Sequence, residues 1–408
     1  MNKCRFCGSV LELTFVDLGM SPLCESYLNE NELNRVEPFY PLHLYVCENC
    51  FLVQLQEYVD PEEIFTEYAY FSSYSQSWLE HAKRYSENMV KRFKINQNSF
   101  VVEIASNDGY LLQNFIENKI PVLGIEPAAN VAKVAMEKNI NTMVEFFSEK
   151  LAEEIIKNNE KADLIIGNNV LAQVPDLNDF IKGVKTLLAP NGIITFEFPH
   201  LMHLVKQRQF DTIYHEHFSY FSFYTIEKIF SYHGLKIFDV EELKTHGGSL
   251  RIYGCHIEDS TKLISKNVDR LRNNEIVEGI SKVEYYTNFQ EEIFALKREI
   301  LDFFIKAKEK NKIICGYGAP GKGNTLLNFC GIRTDFLEFT VDRNPYKQGK
   351  FLPGTHIPIY SPEKIAERKP DYIFILPWNL KDEIINQLSF TGKWGAKFII
   401  PIPKIEII

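Results

Sequence analysis

The sequence has no apolar run long enough to cross a membrane, because no stretch of about 18 uninterrupted apolar residues occurs in it. At its start, MNKCRFCGS, it also lacks the basic segment and apolar run of a secretory leader. Positive charge is not in excess: the formal net charge is -9, which excludes a broad basic surface for nucleic acid or an anionic membrane. We therefore expect a cytoplasmic protein that binds neither nucleic acid nor a membrane.

Two phosphate-binding signatures are not matched either. The first strand with a glycine turn, in SFVVEIASNDG, is not followed by the dinucleotide signature GxGxxG, and the later segment GYGAPGKGN does not complete the P-loop signature GxxxxGK[ST]. These absences argue against a nicotinamide-dependent oxidoreductase. The glycines of the later segment keep that class open as an alternative.

Apolar residues are plentiful enough for more than one core. Hydrophobic residues make up 45% and charged residues 24% of the 408 positions, which are ordinary values for globular proteins. A chain of this length is too long for one ordinary domain and predicts two or three.

Four of the eight cysteines form two CxxC pairs, Cys4 with Cys7 and Cys47 with Cys50. Each pair presents two thiolates from one tight turn, and two such turns supply the four sulfurs of a tetrahedral Zn²⁺ site. The loop between the pairs is longer than in most zinc ribbons. Disulfide bonds are the alternative, but they form mainly in secreted proteins, and we expect no secretory leader here. We predict a structural zinc site, because four protein ligands leave no open position for catalysis.

Strands and helices alternate from about residue 99 onward, which predicts a parallel α/β sheet covered on both faces. Ligands of such sheets bind at the carboxyl ends of the strands. The first two strands carry acidic residues there, Glu103 and Glu126, which favour a cationic nucleotide over a pyrophosphate. This pattern resembles the cofactor half-site of class I S-adenosylmethionine methyltransferases. The predicted cofactor contacts are Glu103, Ala105, Asn107, Gly109, Glu126, Asn168 and Asn169.

A second strand, glycine turn and helix occurs in NKIICGYGAPGKGNTLLNF. Glycines allow close backbone approach, a helix start offers free amides, and a lysine adds charge, so this turn suits a diphosphate. A tight turn that only packs the helix on the strand is the alternative. The predicted substrate contacts are Gly318, Lys322, Gly323, Asn324, Asp342 and, from the segment HGGSLR, Arg251. The alternative for this last segment is a hinge whose arginine lies on the surface.

The segment DTIYHEHFSYFS places Tyr214, His215, Glu216 and His217 side by side. Imidazole, carboxylate and phenol groups are the usual carriers of protons in catalysis. A loop of solvated polar groups is the alternative.

Several motifs together resemble one family. In chain order they are CxxC…CxxCxLVQL, Tyr-x-Tyr-x-Ser-Ser, EIASNDGYLL, NNVLAxVPDL, FEFPH, Tyr-His-Glu-His, GGSLR and GYGAPGKGNTLLN. This series is similar to the nucleotide-sugar C-methyltransferases, which make methyl-branched deoxysugars. It runs over nearly the entire chain and is therefore far more specific than any single motif.

The resemblance implies three consecutive domains: a zinc module in residues 1–66, a Rossmann-like S-adenosylmethionine domain in 67–250, and a second Rossmann-like domain for the nucleotide sugar in 251–408. It implies S-adenosylmethionine and a structural zinc ion as cofactors, and a substrate that is a nucleotide-diphosphate sugar, expected to be linked to dTDP. We expect a monomer or a small homo-oligomer.

The resemblance also implies a reaction and its residues. Methylation would occur at C-3 of a dTDP-4-keto-6-deoxyhexose, with Tyr70, Tyr214, Glu216 and His217 around the reacting sugar. Forming a carbon-carbon bond there requires an enolate, and we predict His217 as the base that generates it, because imidazole titrates near neutral pH, with Tyr214 as the alternative base. One position departs from the family: Gln173 stands where histidine is common, and an amide cannot exchange a proton at neutral pH. The alternatives are an O- or N-methyltransferase of a nucleotide sugar, and a zinc-containing module that binds S-adenosylmethionine without turnover.

Overall fold

The computed structural model describes residues 2–65, 71–74 and 76–408. The strands are β1 (Leu13–Ser21), β2 (Tyr40–Val46), β3 (Val53–Leu55), β4 (Val101–Ile104), β5 (Val122–Ile125), β6 (Thr142–Met143), β7 (Ala162–Asn168), β8 (Leu188–Pro199), β9 (Ser219–Tyr220), β10 (Leu235–Leu243), β11 (Ser249–His256), β12 (Ile314–Tyr317), β13 (Thr340–Val341), β14 (Ile359–Tyr360), β15 (Tyr372–Ile375), β16 (Lys397–Ile400) and β17 (Glu406–Ile407).

The helices are α1 (Pro61–Phe65), α2 (Gln76–Phe93), α3 (Gln113–Ile116), α4 (Ala129–Glu137), α5 (Glu149–Asn158), α6 (Leu177–Leu187), α7 (Leu201–Lys206), α8 (Phe223–Tyr232), α9 (Lys266–Glu278), α10 (Glu284–Thr287), α11 (Phe289–Glu309), α12 (Gly321–Cys330), α13 (Lys364–Arg368) and α14 (Lys381–Gln387). In the described part of the chain, no helix has the length and apolar character needed to span a membrane.

The chain forms two compact units, each assembled from separate segments. Unit 1 contains Met1–Glu12, Cys47–Leu201 and Glu216–Val283, and unit 2 contains Leu13–Val46, Met202–His215 and Glu284–Ile408. The predicted division into three consecutive domains stays a prediction.

Unit 1 is built on a seven-stranded sheet with the order β10-β11-β8-β7-β4-β5-β6. The strands from β8 to β6 pair in parallel, whereas β11 is antiparallel to both of its neighbours. Two antiparallel pairings in succession make β10 parallel to β8. The strands β4, β5, β7, β8 and β10 therefore end at one edge, which we call the carboxyl edge of unit 1.

Helix α2 covers one face of this sheet through a stripe of buried residues. Ala82, Tyr85 and Met89 are spaced three and four positions apart, so they lie on one side of the helix, and all three are buried in the core. The hydroxyl of Tyr85 lies 2.5 Å from the Thr195 hydroxyl on β8. Since the polar tip of Tyr85 is paired, the whole ring can be buried without leaving a polar atom unsatisfied.

Unit 2 is built on a six-stranded sheet with the order β14-β13-β12-β15-β16-β17, parallel except for the last pair. The chain order reverses at β12, because β13 lies on one side of it and β15 on the other. The loop from β12 to α12 therefore starts at the switch point where open α/β sheets bind ligands. The antiparallel pair β1 and β2 belongs to the same unit, where Phe15 stacks on Phe289 of α11 with centroids 4.5 Å apart.

Candidate active site

The two CxxC pairs come together in unit 1. The sulfurs of Cys4, Cys7, Cys47 and Cys50 lie within 4.8 Å of one another, and all four residues are free thiols. The amide of Gln54, which is fully buried, lies with its Nε2 atom 3.2 Å from the Cys4 sulfur. Four sulfurs at this spacing with an amide donor behind them fit a closed, structural zinc site.

The cysteine turns are tied to the α/β sheet region of unit 1 by polar contacts. The guanidinium of Arg5 donates to the carbonyls of Pro175, at 2.8 Å, and Leu55. In return, the amide of Asn178 donates to the carbonyls of Arg5 and Phe6, at 3.1 and 2.9 Å. A metal that orders these turns therefore also orders their contacts with the helix that begins beside Asn178.

The carboxyl edge of unit 1 holds a buried carboxylate without an internal partner. Glu103 on β4 is 0% exposed, and neither of its carboxylate oxygens has a hydrogen-bond partner among the described residues. Burial raises the pKa of Glu103 well above its usual range, and the charges of Glu126 and Asp108 raise it further. An unpaired buried acid is costly by itself, so this position fits the cationic ligand that the sequence predicts.

Glu126 organises the turn that follows β4. One of its carboxylate oxygens accepts a hydrogen bond from the Asn107 backbone amide and the other from that of Ala128, both at 2.9 Å. Within the turn, Ala105, Asn107 and Gly109 all have positive φ. Gly109 has a φ of 74°, and a Cβ atom there would lie 2.1 Å from the end of the Ile140 side chain, so this position favours glycine. The carboxylate keeps lone pairs that can accept the ribose hydroxyls of a nucleoside.

The serine pair Ser72 and Ser73 contacts the same turn. The backbone amide of Ser72 donates to the Asn107 side-chain oxygen at 2.9 Å, and that of Ser73 donates to the Asp108 carboxylate at 3.1 Å. Lys138 donates to the Ser73 hydroxyl and to the Asp108 carbonyl. The sequence alone predicts no role for these serines, for Asp108 or for Lys138. The serines stand in the motif Tyr-x-Tyr-x-Ser-Ser, which could have drawn attention to them.

Asn168 is the last residue of β7 at this edge, and Asn169 directly follows the strand. Both polar side-chain atoms of Asn168 are buried and lack a hydrogen-bond partner in the described chain. Asn169 has a φ of 57°, donates its backbone amide to the Glu197 carbonyl at 2.8 Å, and has its side-chain nitrogen 3.2 Å from Nε2 of His246. The cofactor positions predicted on β4, β5 and β7 thus share one edge, and their direct contacts stay predictions.

Arg251 lies in a buried charge network. Its guanidinium donates to Glu197 at 2.7 Å and to Glu241 at 2.8 Å, and only 5% of the residue is exposed. Burial by itself would raise the pKa of Glu197, but the hydrogen bond from His81 and the charge of Arg251 outweigh it and leave that pKa lowered. Sequence reasoning missed His81 and Glu197, because their pairing joins distant segments. The phosphate contact predicted for Arg251 stays a prediction.

Three of the four residues in the Tyr-His-Glu-His segment are buried, and Tyr214 is half-buried. His215, Glu216 and His217 are only 3%, 6% and 8% exposed, which excludes a solvated surface loop. The boundary between the units falls inside the motif, with Tyr214 and His215 in unit 2 and Glu216 and His217 in unit 1. His215 donates from Nε2 to the Pro41 carbonyl at 3.2 Å, and burial lowers its pKa.

His217 is held beside the turn that follows β7. The next residue, Phe218, donates its backbone amide to the carbonyl of Ala172 at 2.7 Å, and its carbonyl accepts from Leu55. Ala172 directly precedes Gln173, the position that departs from the family pattern. This contact places His217 next to the chain that leaves Asn169. Tyr70, the remaining predicted catalytic residue, lies outside the described residues.

The glycine loop of unit 2 begins at the end of β12. Gly316, Gly318 and Gly321 have the spacing GxGxxG, so this loop matches the dinucleotide signature that the turn after β4 lacks. Gly318 has a φ of 88°, and a Cβ atom there would lie 2.6 Å from the Pro377 ring. Asp342, at the end of β13, accepts a hydrogen bond from the Ala319 amide at 2.7 Å.

The start of α12 is covered by a segment of the same unit. Asn324 donates to the Cys24 carbonyl at 2.6 Å, and a Cβ atom on Gly321 would lie 2.8 Å from the Cys24 sulfur and 3.2 Å from a Glu25 carboxylate oxygen. The predicted substrate residues on α12 also contact the loop after β15. The ammonium of Lys322 donates to Asn379 at 2.9 Å.

Gly323, two positions into the same helix, packs closely against Leu376. The roles predicted here in binding a diphosphate stay predictions.

Three family models match successive parts of the chain. They are described as "Putative zinc binding domain", over residues 4–65, "Methyltransferase domain", over 77–240, and "C-methyltransferase C-terminal domain", over 244–403. Together with the four-cysteine cluster and the seven-stranded sheet, they define a class I S-adenosylmethionine-dependent methyltransferase with an N-terminal zinc module. The predicted fold class and both predicted cofactors are confirmed.

One relative extends over the entire chain. C-methyltransferase NovU from Streptomyces niveus is 34% identical over 408 residues, which are 100% of this chain and 97% of that protein. The chain belongs to the C-methyltransferase family, as the motif series predicts.

Solved structures show more distant likenesses. Magnesium protoporphyrin IX methyltransferase from Synechocystis PCC 6803 is 14% identical, with a TM-score of 0.34 over 44% of this chain and 79% of that one. The YcgJ protein from Bacillus subtilis is 12% identical, with a TM-score of 0.36 over 44% of this chain and 99% of that one.

Proposed function

We propose that this protein transfers a methyl group from S-adenosylmethionine to C-3 of a dTDP-4-keto-6-deoxyhexose. A base removes the C-3 proton, and the C-4 oxygen takes up the resulting charge as an enolate. The C-3 carbon then attacks the methyl group, so that one carbon-carbon bond forms and one carbon-sulfur bond breaks. The products are the branched ketosugar, S-adenosylhomocysteine and the proton that remains on the base.

The observation that carries this proposal is the position of the buried His217 in unit 1. Its neighbour Phe218 is hydrogen-bonded to the turn after β7. This turn follows Asn168 and Asn169, which lie at the same carboxyl edge as the donor-site acids Glu103 and Glu126. A buried imidazole beside a methyl-donor site can serve as a base for the acceptor. We assign Glu216 to orient this base. From the resemblance, we assign Tyr214 and Tyr70 to the reacting sugar.

Donor binding rests on the acids of the carboxyl edge. Glu126 would accept hydrogen bonds from the ribose hydroxyls, and Glu103 and Asp108 would offset the positive charges of the sulfonium and the amino group. The bound cofactor supplies an electrophilic methyl carbon, and the chain contributes by holding its acceptor in line and excluding water.

For the nucleotide diphosphate we propose the glycine loop of unit 2, with Lys322 as the cation and Asp342 near the ribose. The GxGxxG spacing and the position at the switch point of the sheet support this assignment. Glu25 opposes an anion at the start of α12, and Lys347, whose ammonium lies 3.3 Å from that carboxylate, offsets its charge. We propose the cytoplasm as the compartment, since all eight cysteines are free thiols.

Proton abstraction can be tested separately from methyl transfer. The enzyme is incubated in D₂O with dTDP-4-keto-6-deoxyglucose and S-adenosylhomocysteine, and deuterium uptake at C-3 is followed by NMR. Wild type and a His356→Ala control should exchange the proton, whereas His217→Ala should do so at least about 100-fold more slowly, as expected for loss of a general base. Exchange at the wild-type rate in His217→Ala would contradict the assignment of the base.

A further inference from the structure

His246 occupies the turn between β10 and β11, at the carboxyl edge of unit 1. The turn is fixed to the end of β8 because the backbone amide of His200 donates to the carbonyl of Gly248 at 3.1 Å. It also lies beside the end of β7, since the side chain of Asn169 contacts the His246 ring. His246 is therefore next to the strand ends where the methyl acceptor of this fold meets the donor.

The backbone of this turn is unusual for a residue with a side chain. His246 has a φ of 52° and a ψ of 22°, and the next two residues, Gly247 and Gly248, have φ values of 89° and 122°. Glycine adopts such angles without penalty, whereas histidine pays a conformational cost. A histidine with these angles, directly before two glycines, indicates that its side chain contributes something the turn alone does not need.

The imidazole is held from two sides. The side-chain nitrogen of Asn169 lies 3.2 Å from Nε2, and because an amide nitrogen can only donate, Nε2 accepts and the ring proton resides on Nδ1. The ring also meets Trp78 edge to face, with centroids 5.5 Å apart. Trp78 in turn stacks on His81 at 4.8 Å.

This arrangement is anchored in the buried charge network. His81 lies 3.0 Å from the Glu197 carboxylate, which also receives the Arg251 guanidinium. Trp78, which contacts the His246 ring, therefore stacks on a histidine that is held by Glu197 on β8 and, through it, Arg251 on β11. A neutral imidazole held in one tautomer is suited to donate a hydrogen bond to an oxygen on which negative charge develops.

We propose that His246 is a further catalytic residue, which donates a hydrogen bond from Nδ1 to the carbonyl oxygen of the methyl acceptor, and that Asn169 positions it by fixing its tautomer. No proton changes owner at His246; the hydrogen bond strengthens as the oxygen gains charge. This inference rests on the proposed function, because it requires an acceptor with a carbonyl group.

The test replaces His246 with glycine, which tolerates the backbone angles and removes only the side chain. His356→Gly is the matched control, because His356 is a second histidine with a left-handed backbone, at a φ of 56° in unit 2. We expect kcat of the full-length His246→Gly enzyme to fall roughly 100-fold, as on removal of one oxyanion donor. The KM for S-adenosylmethionine and the melting temperature should stay unchanged, and added imidazole should restore part of kcat. The control should keep wild-type kcat.

Two results would overturn the inference. A kcat within about twofold of wild type would show a turn residue only, because glycine suits the turn at least as well as histidine does. A loss that appears mainly as a raised KM for S-adenosylmethionine would place His246 on the donor side. If wild type itself fails to methylate the ketosugar, the proposed function fails.

A second readout does not depend on turnover. Nitrogen-15 NMR of the histidine rings, assigned with His246→Gly, should show His246 as the Nδ1–H tautomer in wild type and as a tautomer mixture in Asn169→Ala. A wild-type ring protonated on Nε2 would overturn the role given to Asn169.

Discussion

The carboxyl edges of the two sheets differ in the hydrogen bonding of their polar groups. In unit 1, Glu103 and Asn168 are buried at the strand ends without hydrogen-bond partners in the described chain. In unit 2, the loop after β12 is paired with its own unit: the Ala319 carbonyl accepts hydrogen bonds from Tyr27 and Lys347, and its amide donates to Asp342. Both loops follow a central strand and precede a helix, so topology alone does not cause the difference.

This difference predicts how strongly ligand binding would stabilise each site. Burying an unpaired acid costs free energy, and a cationic ligand that binds there recovers it. The loop of unit 2 has few such groups left, so a ligand there must compete with existing hydrogen bonds. We therefore expect a ligand to stabilise the carboxyl edge of unit 1 strongly and the loop of unit 2 only weakly.

The largest expected effect is the loss of zinc, which should destabilise unit 1 and leave the sheet of unit 2 intact. Cys47→Ser should lose zinc and destabilise unit 1, because structural zinc contributes on the order of 10 kcal/mol in small modules. Hydrogen exchange should speed up in the cysteine turns and stay slow in β12 of unit 2. The control Cys330→Ala, which removes a cysteine outside the cluster, should keep one zinc per chain by mass spectrometry. A full zinc equivalent in Cys47→Ser would contradict the site.

The next effect concerns paired charges in unit 1. Arg251→Met leaves Glu197 buried without its cation and should cost about 3 to 5 kcal/mol of unfolding free energy, measured by urea denaturation with hydrogen exchange at β8 and β11. Arg270→Met removes an exposed arginine that pairs with Glu242, and should cost less than about 1 kcal/mol. Equal losses in both variants would show that the buried network has no special weight.

Cofactor binding tests the open edge directly. Glu126→Ala removes the predicted acceptor of two ribose hydroxyls and should weaken S-adenosylmethionine at least about 100-fold, since hydrogen bonds to charged groups contribute roughly 1.5 to 3 kcal/mol each. Isothermal titration calorimetry gives the Kd. The exposed Glu137, on the following helix, provides the control Glu137→Ala. An unchanged Kd in Glu126→Ala would remove this edge as the ribose site.

The smallest effect is a pH dependence in unit 2. Burial raises the pKa of Asp211 to about 6, against the lowering effects of Lys322 and the hydrogen bond from Trp378. The folded state therefore holds this proton more tightly than the unfolded state. Stability is greatest below the unfolded pKa and is lost as pH rises through about 6, by roughly 1 to 3 kcal/mol. Unfolding of Asp211→Asn should lack this loss between pH 4 and 7, and a wild type without it would contradict the raised pKa.

Much of unit 1 could be predicted from local sequence. Apolar runs that end in polar turns identified β4, β5 and β7, because buried parallel strands read as continuous apolar segments. The two CxxC pairs identified the metal ligands, since thiolate spacing is itself the signal.

The rest depended on pairing between distant segments. His81, Glu197 and Arg251 carry no local pattern, and they meet only after α2 docks on β8 and β11. Likewise, Cys24 lies far from Asn324 in the sequence, so its contact with the α12 start could not be read from periodicity. The importance of His246 becomes visible only from its backbone angles and its contact with Asn169.

The position of the transferred methyl group distinguishes C-methylation from O-methylation. The purified enzyme is incubated with ¹³C-methyl S-adenosylmethionine and dTDP-4-keto-6-deoxyglucose, and the product is examined by carbon-proton correlation NMR. We expect a methyl group bonded to C-3, with correlations to C-2 and C-4. A methyl group bonded to oxygen would contradict carbanion chemistry and, with it, the roles assigned to His217 and His246.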